Sequence, residues 1–122
     1  MSKMACIFCD PETVIESDLS YARVDKFPVS PGHHLIIPKR HVETWFDMTD
    51  GEQRDVLQMI VSVKRFIEKK YSPDGYNIGM NCGESAGQTI PHAHIHVIPR
   101  YKGDMSNPSG GIRGVIPSKQ MY

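Results

Sequence analysis

The stretch Pro91-His92-Ala93-His94-Ile95-His96-Val97-Ile98-Pro99 constrains this chain more than any other. A strand sends successive side chains to opposite faces, so His92, His94 and His96 share one face and Ala93, Ile95 and Val97 the other. The apolar face requires a core to cover it. The other face carries imidazoles spaced about 6.5–7 Å apart along the strand, a side-chain type whose unperturbed pKa lies near neutrality. A purification tag would be an uninterrupted terminal run, which this is not. A lone strand histidine is usually structural; three in strict alternation behind a glycine-rich loop read as a functional site. That loop, Gly83-Glu84-Ser85-Ala86-Gly87-Gln88-Thr89, leaves backbone N–H groups free to approach an anion.

The rest of the chain supplies a scaffold. Residues 19–29 read as a strand and its exit, with the turn at Pro28 and Pro31-Gly32. Residues 33–38 read as a second strand stopped by Pro38, forming an antiparallel pair with the first. A short helical stretch is expected over 42–48. Thr49 and Glu52 fit a capping box, and the helix behind them is expected to reach about Tyr71. Its apolar residues Val56, Met59, Ile60, Val63, Phe66 and Ile67 step by three or four and give one buried stripe. Residues 76–82 read as a third strand, with Cys82 inside it, and the histidine stretch as a fourth. Residues 102–122 show little periodicity and read as a tail.

Length and composition narrow the function. A chain of 122 residues is one domain with room for a real core. Its 14 basic and 14 acidic residues balance, which argues against a nucleic-acid surface but not against a small anionic ligand. No apolar run reaches transmembrane length, and Met1-Ser2-Lys3-Met4-Ala5 leads into no signal-peptide apolar region, so a cytoplasmic protein away from membranes is expected. Three cysteines in such a chain do not read as a disulfide framework. Cys6-Ile7-Phe8-Cys9 could be a redox pair or half of a tetrahedral zinc site. The redox reading lacks the strand that should precede it. The zinc reading needs two more ligands, and the chain holds spare histidines.

Together these residues resemble the histidine-triad family of nucleotide hydrolases and transferases. The likeness rests on His92-Ala93-His94-Ile95-His96-Val97-Ile98. It extends to Asp25, to Gly32-His33-His34-Leu35-Ile36-Ile37-Pro38-Lys39-Arg40-His41, to Asn81 and to Gly87-Gln88-Thr89. It covers about residues 5–101 within a single domain of residues 1–122. The resemblance implies an α+β fold with a five-stranded antiparallel sheet, one long helix and one short helix. It also implies a homodimer with a continuous sheet. One of those strands comes from the family, since the residue pattern itself yields four.

The resemblance also implies roles. His94 would be the nucleophile toward the α-phosphorus of a purine nucleotide, and His33 and His96 would contact phosphate oxygens or the leaving group. Asn81, Gly87, Gln88 and Thr89 would hold the phosphates, Asp25 the ribose, and Ile7 and Phe8 the base. Members with the cysteine pair resemble a zinc-bearing subset whose other ligands match His41 and His92, which implies a structural zinc on Cys6, Cys9, His41 and His92. Thr89 stands where some relatives have serine, so its methyl narrows the leaving-group side. Hydrolysis of dinucleoside polyphosphates is the expected activity. Purine phosphoramidase activity on substrates such as adenylated lysine stays open, as does nucleotide binding with incidental turnover. The tail is expected to cross toward a partner's leaving-group pocket, anchored by Ile112, Val115 and Ile116.

Overall fold

The computed structural model describes residues 6–9 and 12–122; the readings placed on Met1–Ala5, including the start of the expected core, lie outside the described residues. The elements run β1 (Ile15–Glu16), β2 (Ser20–Val24), β3 (His34–Pro38), α1 (Asp50–Ile67), β4 (Gly75–Gly79) and β5 (Ile95–Arg100). The strands form one antiparallel sheet of spatial order β1-β2-β3-β5-β4. The strand missing from the residue pattern is β1, only two residues long and defined by pairing to β2.

The capping box starts α1 as expected. Glu52 N–H donates to Thr49 Oγ1 at 3.1 Å, and Thr49 N–H donates to Glu52 Oε1 at 2.8 Å. The expected short helix is instead one 3-10 turn, Trp45–Asp47, with its own box on Thr44 and Asp47. It cannot lengthen because Met48 and Thr49 take extended backbone to begin the next cap. At the other end α1 stops short of Tyr71, where the Lys70 and Tyr71 N–H groups both turn back to the Ile67 carbonyl.

Val56, Met59, Val63 and Ile67 bury the helix stripe against Ala22, Ile36, Ala93, Ile95 and Val97 of the sheet side. At about 1.5–3 kcal/mol per buried side chain, those four helix residues hold α1 down with roughly 6–12 kcal/mol before entropy. Phe66 lies outside this buried set and meets the His34 ring edge-on at 5.7 Å. The opposite face carries a second cluster of Cys6, Phe8, Tyr21, Leu35 and Ile37. β3 is therefore covered on both faces, and all five of its residues are buried.

The histidine stretch alternates as expected, but only part of it joins the ladder. Pairing begins at Ile95, opposite Ile36. Before it, the Ala93 N–H donates to the Val42 carbonyl at 2.7 Å, so His92 and His94 sit on a lead-in held by a loop. β4 ends at Gly79, and Cys82 lies in the loop beyond it, not in a strand. The tail forms two 3-10 turns, Gly111–Val115 and Pro117–Lys119. It folds back on its own chain, with Ile112 Cδ1 3.7 Å from where a Cβ on Gly79 would stand. Among the described residues no helix is long and apolar enough to cross a membrane.

Candidate active site and metal centre

A cavity of about 650 Å³ lies on the sheet face opposite α1. The sequence-derived residues Ile7, Phe8, Asp25, His33, Asn81, Gly87, Thr89, His94 and His96 all line it. Gln88 is not among the lining residues, contrary to expectation. Its Nε2 donates to the carbonyls of Glu43 at 2.6 Å and Ile90 at 3.1 Å, and its Oε1 accepts from Gly83 N–H at 2.8 Å. With both ends engaged, Gln88 braces the loop that presents Gly87 and Thr89. Gly87 itself sits at φ 93°, a left-handed conformation that glycine adopts without a Cβ penalty.

The imidazoles have assignable tautomers. His94 Nδ1–H donates to the His92 carbonyl at 2.9 Å, which leaves a lone pair on Nε2. His33 Nδ1 accepts from Val29 N–H at 3.0 Å, so its Nε2 carries the proton. That Nε2 faces His96 Nδ1 at 2.9 Å and Asp25 Oδ2 at 3.3 Å. With Nδ1 of His96 accepting, its Nε2–H remains as a donor. Burial, reinforced by His94 and His33, pushes His96 down to about 4. Burial also lowers His33, opposed by the Asp25 charge. His96 is therefore neutral at pH 7 and serves as a hydrogen-bond donor, not as an imidazolium acid. Asp25, His33 and His96 bring three potential ligand atoms within 4.8 Å of one another. The proton on His33 Nε2 makes that trio a hydrogen-bonded network and a poor cation site.

A second cluster has the opposite chemistry. Ligand atoms of Cys6, Cys9, His41 and His92 all lie within 4.8 Å of one another and could hold a metal ion. His92 Nδ1 is 3.3 Å from Cys6 Sγ and 3.4 Å from Cys9 Sγ, and His41 Nδ1 is 3.1 Å from Cys9 Sγ. Tetrahedral zinc with ordinary bond lengths spaces sulfur and nitrogen ligands about 3.5 Å apart. His92 Nε2–H donates to the Pro38 carbonyl at 2.8 Å, which turns the Nδ1 lone pair toward the cysteines. The donor set thus fits the metal, and all four positions are protein ligands, as in structural sites. The knuckle is closed by Cys9 N–H donating to the Cys6 carbonyl at 3.1 Å.

Lining residues beyond those assigned to the site from the sequence include Arg23. Arg23 is 3 % exposed, with its guanidinium 5.5 Å from the Phe8 ring centroid. It shares a face with Tyr21 and Asp25, so the period-two pattern held the signal. Ile112 and Val115, expected as anchors toward a partner's pocket, line this chain's own cavity. No local pattern in the tail marks that return.

Comparison with known proteins places this geometry. A family model, the HIT domain, matches residues 9–103. The asymmetrical bis(5'-nucleosyl)-tetraphosphatase of Schizosaccharomyces pombe is 46 % identical over 88 residues, covering 72 % of this chain and 48 % of that protein. A bis(5'-adenosyl)-triphosphatase of Dictyostelium discoideum is 38 % identical over 96 residues, covering 79 % of this chain and 64 % of that one. The chain therefore spans about half to two thirds of these relatives. A crystal structure of a zinc-bound histidine triad family protein from Mycobacterium smegmatis superposes with a TM-score of 0.69 at 30 % identity, covering 87 % of this chain and 82 % of that one. The family match takes in the histidine stretch, the cavity wall apart from Ile7, Phe8, Ile112 and Val115, and three of the four metal-site residues, and on that ground the chain belongs to the HIT-domain family.

Proposed function

We propose that this chain is a nucleotide hydrolase that cleaves dinucleoside polyphosphates at an α-phosphorus through a covalent nucleotidyl-His94. The observation that carries the reading is the His94 tautomer: Nδ1–H is committed to the His92 carbonyl, so Nε2 has its lone pair in a cavity-lining side chain. The names of the relatives support the substrate class. In the first step Nε2 bonds to phosphorus and the bond to the bridging oxygen breaks. The departing nucleoside polyphosphate leaves as an anion, with His96 Nε2–H as its hydrogen-bond donor. The nucleotidyl-imidazolium keeps Nδ1–H on the His92 carbonyl. In the second step water attacks phosphorus, the P–N bond breaks, a nucleoside monophosphate forms and the proton passes to solvent. Asp25 takes the ribose hydroxyls, Ile7 and Phe8 flank a purine base, and Asn81, Gly87 and Thr89 hold phosphate oxygens.

Zinc fills the Cys6, Cys9, His41 and His92 site in this reading and ties the N-terminal knuckle to the lead-in of β5, without touching substrate. Native protein should contain about one zinc per chain. The function is tested with His94→Asn on a panel of diadenosine polyphosphates and an adenosine phosphoramidate. The variant should lose turnover by several orders of magnitude while binding nucleotide. Near-normal turnover by His94→Asn would refute the nucleophile, and faster wild-type turnover of the phosphoramidate would move the substrate class.

A further inference from the structure

We propose that Arg23 reads the nucleobase: its guanidinium donates to the O6 and N7 acceptors of a 6-oxopurine, so the chain takes guanine in preference to adenine. The proposal rests on the nucleotide reading given above and names the base within it. Arg23 stands on β2 just ahead of Asp25, and both line the cavity. Across the sheet Arg23 pairs with Leu35, and Leu35 pairs with His96. Two strand spacings, about 10 Å, therefore separate the Arg23 backbone from that of His96. Gly87 lies on the other side of His96, beside Asn81 and beyond the end of β4. In this reading Gly87 and Asn81 hold phosphate and Asp25 holds ribose, which leaves Arg23 on the nucleoside side.

The protein alone answers this buried charge only in part. Arg23 Nη2–H donates to Glu12 Oε2 at 3.3 Å, a long bond to a carboxylate that is 65 % exposed and also pairs with Lys26. The Tyr21 hydroxyl lies close by, and Arg23 works against the burial that pushes that phenol up to about 12. A guanidinium is a planar fork of N–H donors, so these contacts leave donors over. Among the described residues the one sealed side-chain nitrogen or oxygen without a partner is His34 Nε2, so the spare Arg23 donors are not walled in. They belong to a side chain that lines the cavity and stacks 5.5 Å from the Phe8 ring centroid, and Phe8 flanks the base in this reading. A planar fork suits two acceptors side by side, and O6 and N7 of guanine are such a pair. Adenine sets an amino group beside N7, which meets an Arg N–H donor to donor. A buried cation facing a donor stays unpaired, and that costs more than a contact simply not made.

The test measures binding of GMP, IMP and AMP to the full chain by isothermal titration calorimetry, since a monophosphate binds without turnover. GMP and IMP should each bind at least about fivefold more tightly than AMP, the lower end of what one bidentate base contact discriminates. In Arg23→Leu the ratio should fall to about one. Arg23→Lys keeps the buried charge but not the fork, and should lose most of the preference as well. Circular dichroism reports the fold of each variant, and if Arg23→Leu unfolds, Arg23→Lys decides. Equal wild-type affinities for the three nucleotides, or a guanine preference untouched in a folded variant, would overturn the proposal. So would a variant that weakens all three by one common factor, which is the signature of a phosphate contact. IMP bound no better than AMP would overturn it too, because the 2-amino group would then be the feature read. In each of these cases the hydrolase reading stands, tested separately by His94→Asn. A chain that binds none of the three nucleotides removes both.

Discussion

Acid should destabilise this protein through His96, and the effect can be sized. The ring is 26 % exposed and its ionisation is pushed from 6.5 to about 4 by burial, then by His94 and His33, with Asp25 opposing. A lowered folded value means that the unfolded chain binds the proton first. The contribution is complete above about pH 6.5, is lost as pH falls toward 4, and is constant below that. Linkage gives a loss of about 2 kcal/mol between pH 8 and pH 5, reduced to about 1 by the solvent reaching the ring. For a domain of this size each 1 kcal/mol moves the melting temperature by about 4 °C. Carboxylates do not confuse this window. Glu52, held below 4.5 by its hydrogen bond to Arg40, loses its contribution only at lower pH. Loss of an ion held by Cys6, Cys9, His41 and His92 would overlap in acid, so the measurement is a difference between wild type and His96→Asn. Asparagine keeps an acceptor for the His33 N–H but cannot titrate. The gap between the two melting temperatures should shift by about 4–8 °C from pH 8 to pH 5. A gap constant to within about a degree would refute the assignment of a buried, neutral His96.

Gly32→Ala should cost about 2–5 kcal/mol in urea melts, from left-handed strain plus crowding. Gly32 sits at φ +91°, and a Cβ there would stand 3.1 Å from Tyr71 Cδ2 and 3.2 Å from Pro99 Cγ. A loss under about 0.5 kcal/mol would show that the turn before His33 tolerates a side chain. Gly110→Ala should unseat the tail, because a Cβ there overlaps the Gln120 carbonyl. Turnover of substrates with bulky leaving groups should change most, and unchanged kinetics across the substrate panel would exclude the tail as a cavity wall. Light scattering at micromolar concentration should report a dimer, since Leu57 and Val61 leave half their surface exposed one turn apart on α1; a monomer would refute it.

Local chemistry made much of this protein legible. The alternation from His92 to Val97 marked the core face and the site face, because the two-residue period of extended backbone acts residue by residue. The Thr49–Glu52 box marked the start of α1 for a similar reason, since both of its hydrogen bonds close within three residues. The cysteine pair's spacing left a redox pair and half a metal site both open, and the candidate partners His41 and His92 lie far along the chain. Only the antiparallel pairing of β3 with β5, with the Pro38 carbonyl accepting from His92 Nε2–H, brings them together. The bracing role of Gln88 could not be read locally, because the Glu43 and Ile90 carbonyls that engage its amide are set by tertiary packing. The short strand β1 exists through its pairing with β2 and has no pattern of its own. The tail's return to Gly79 is likewise a matter of contact between distant segments. What the amino-acid order determined was periodic or closed within one turn of chain. What the tertiary structure decided was which nitrogen of His33, His92 and His94 carries its proton, because each of these protons is placed by a hydrogen-bond partner that only the folded backbone supplies.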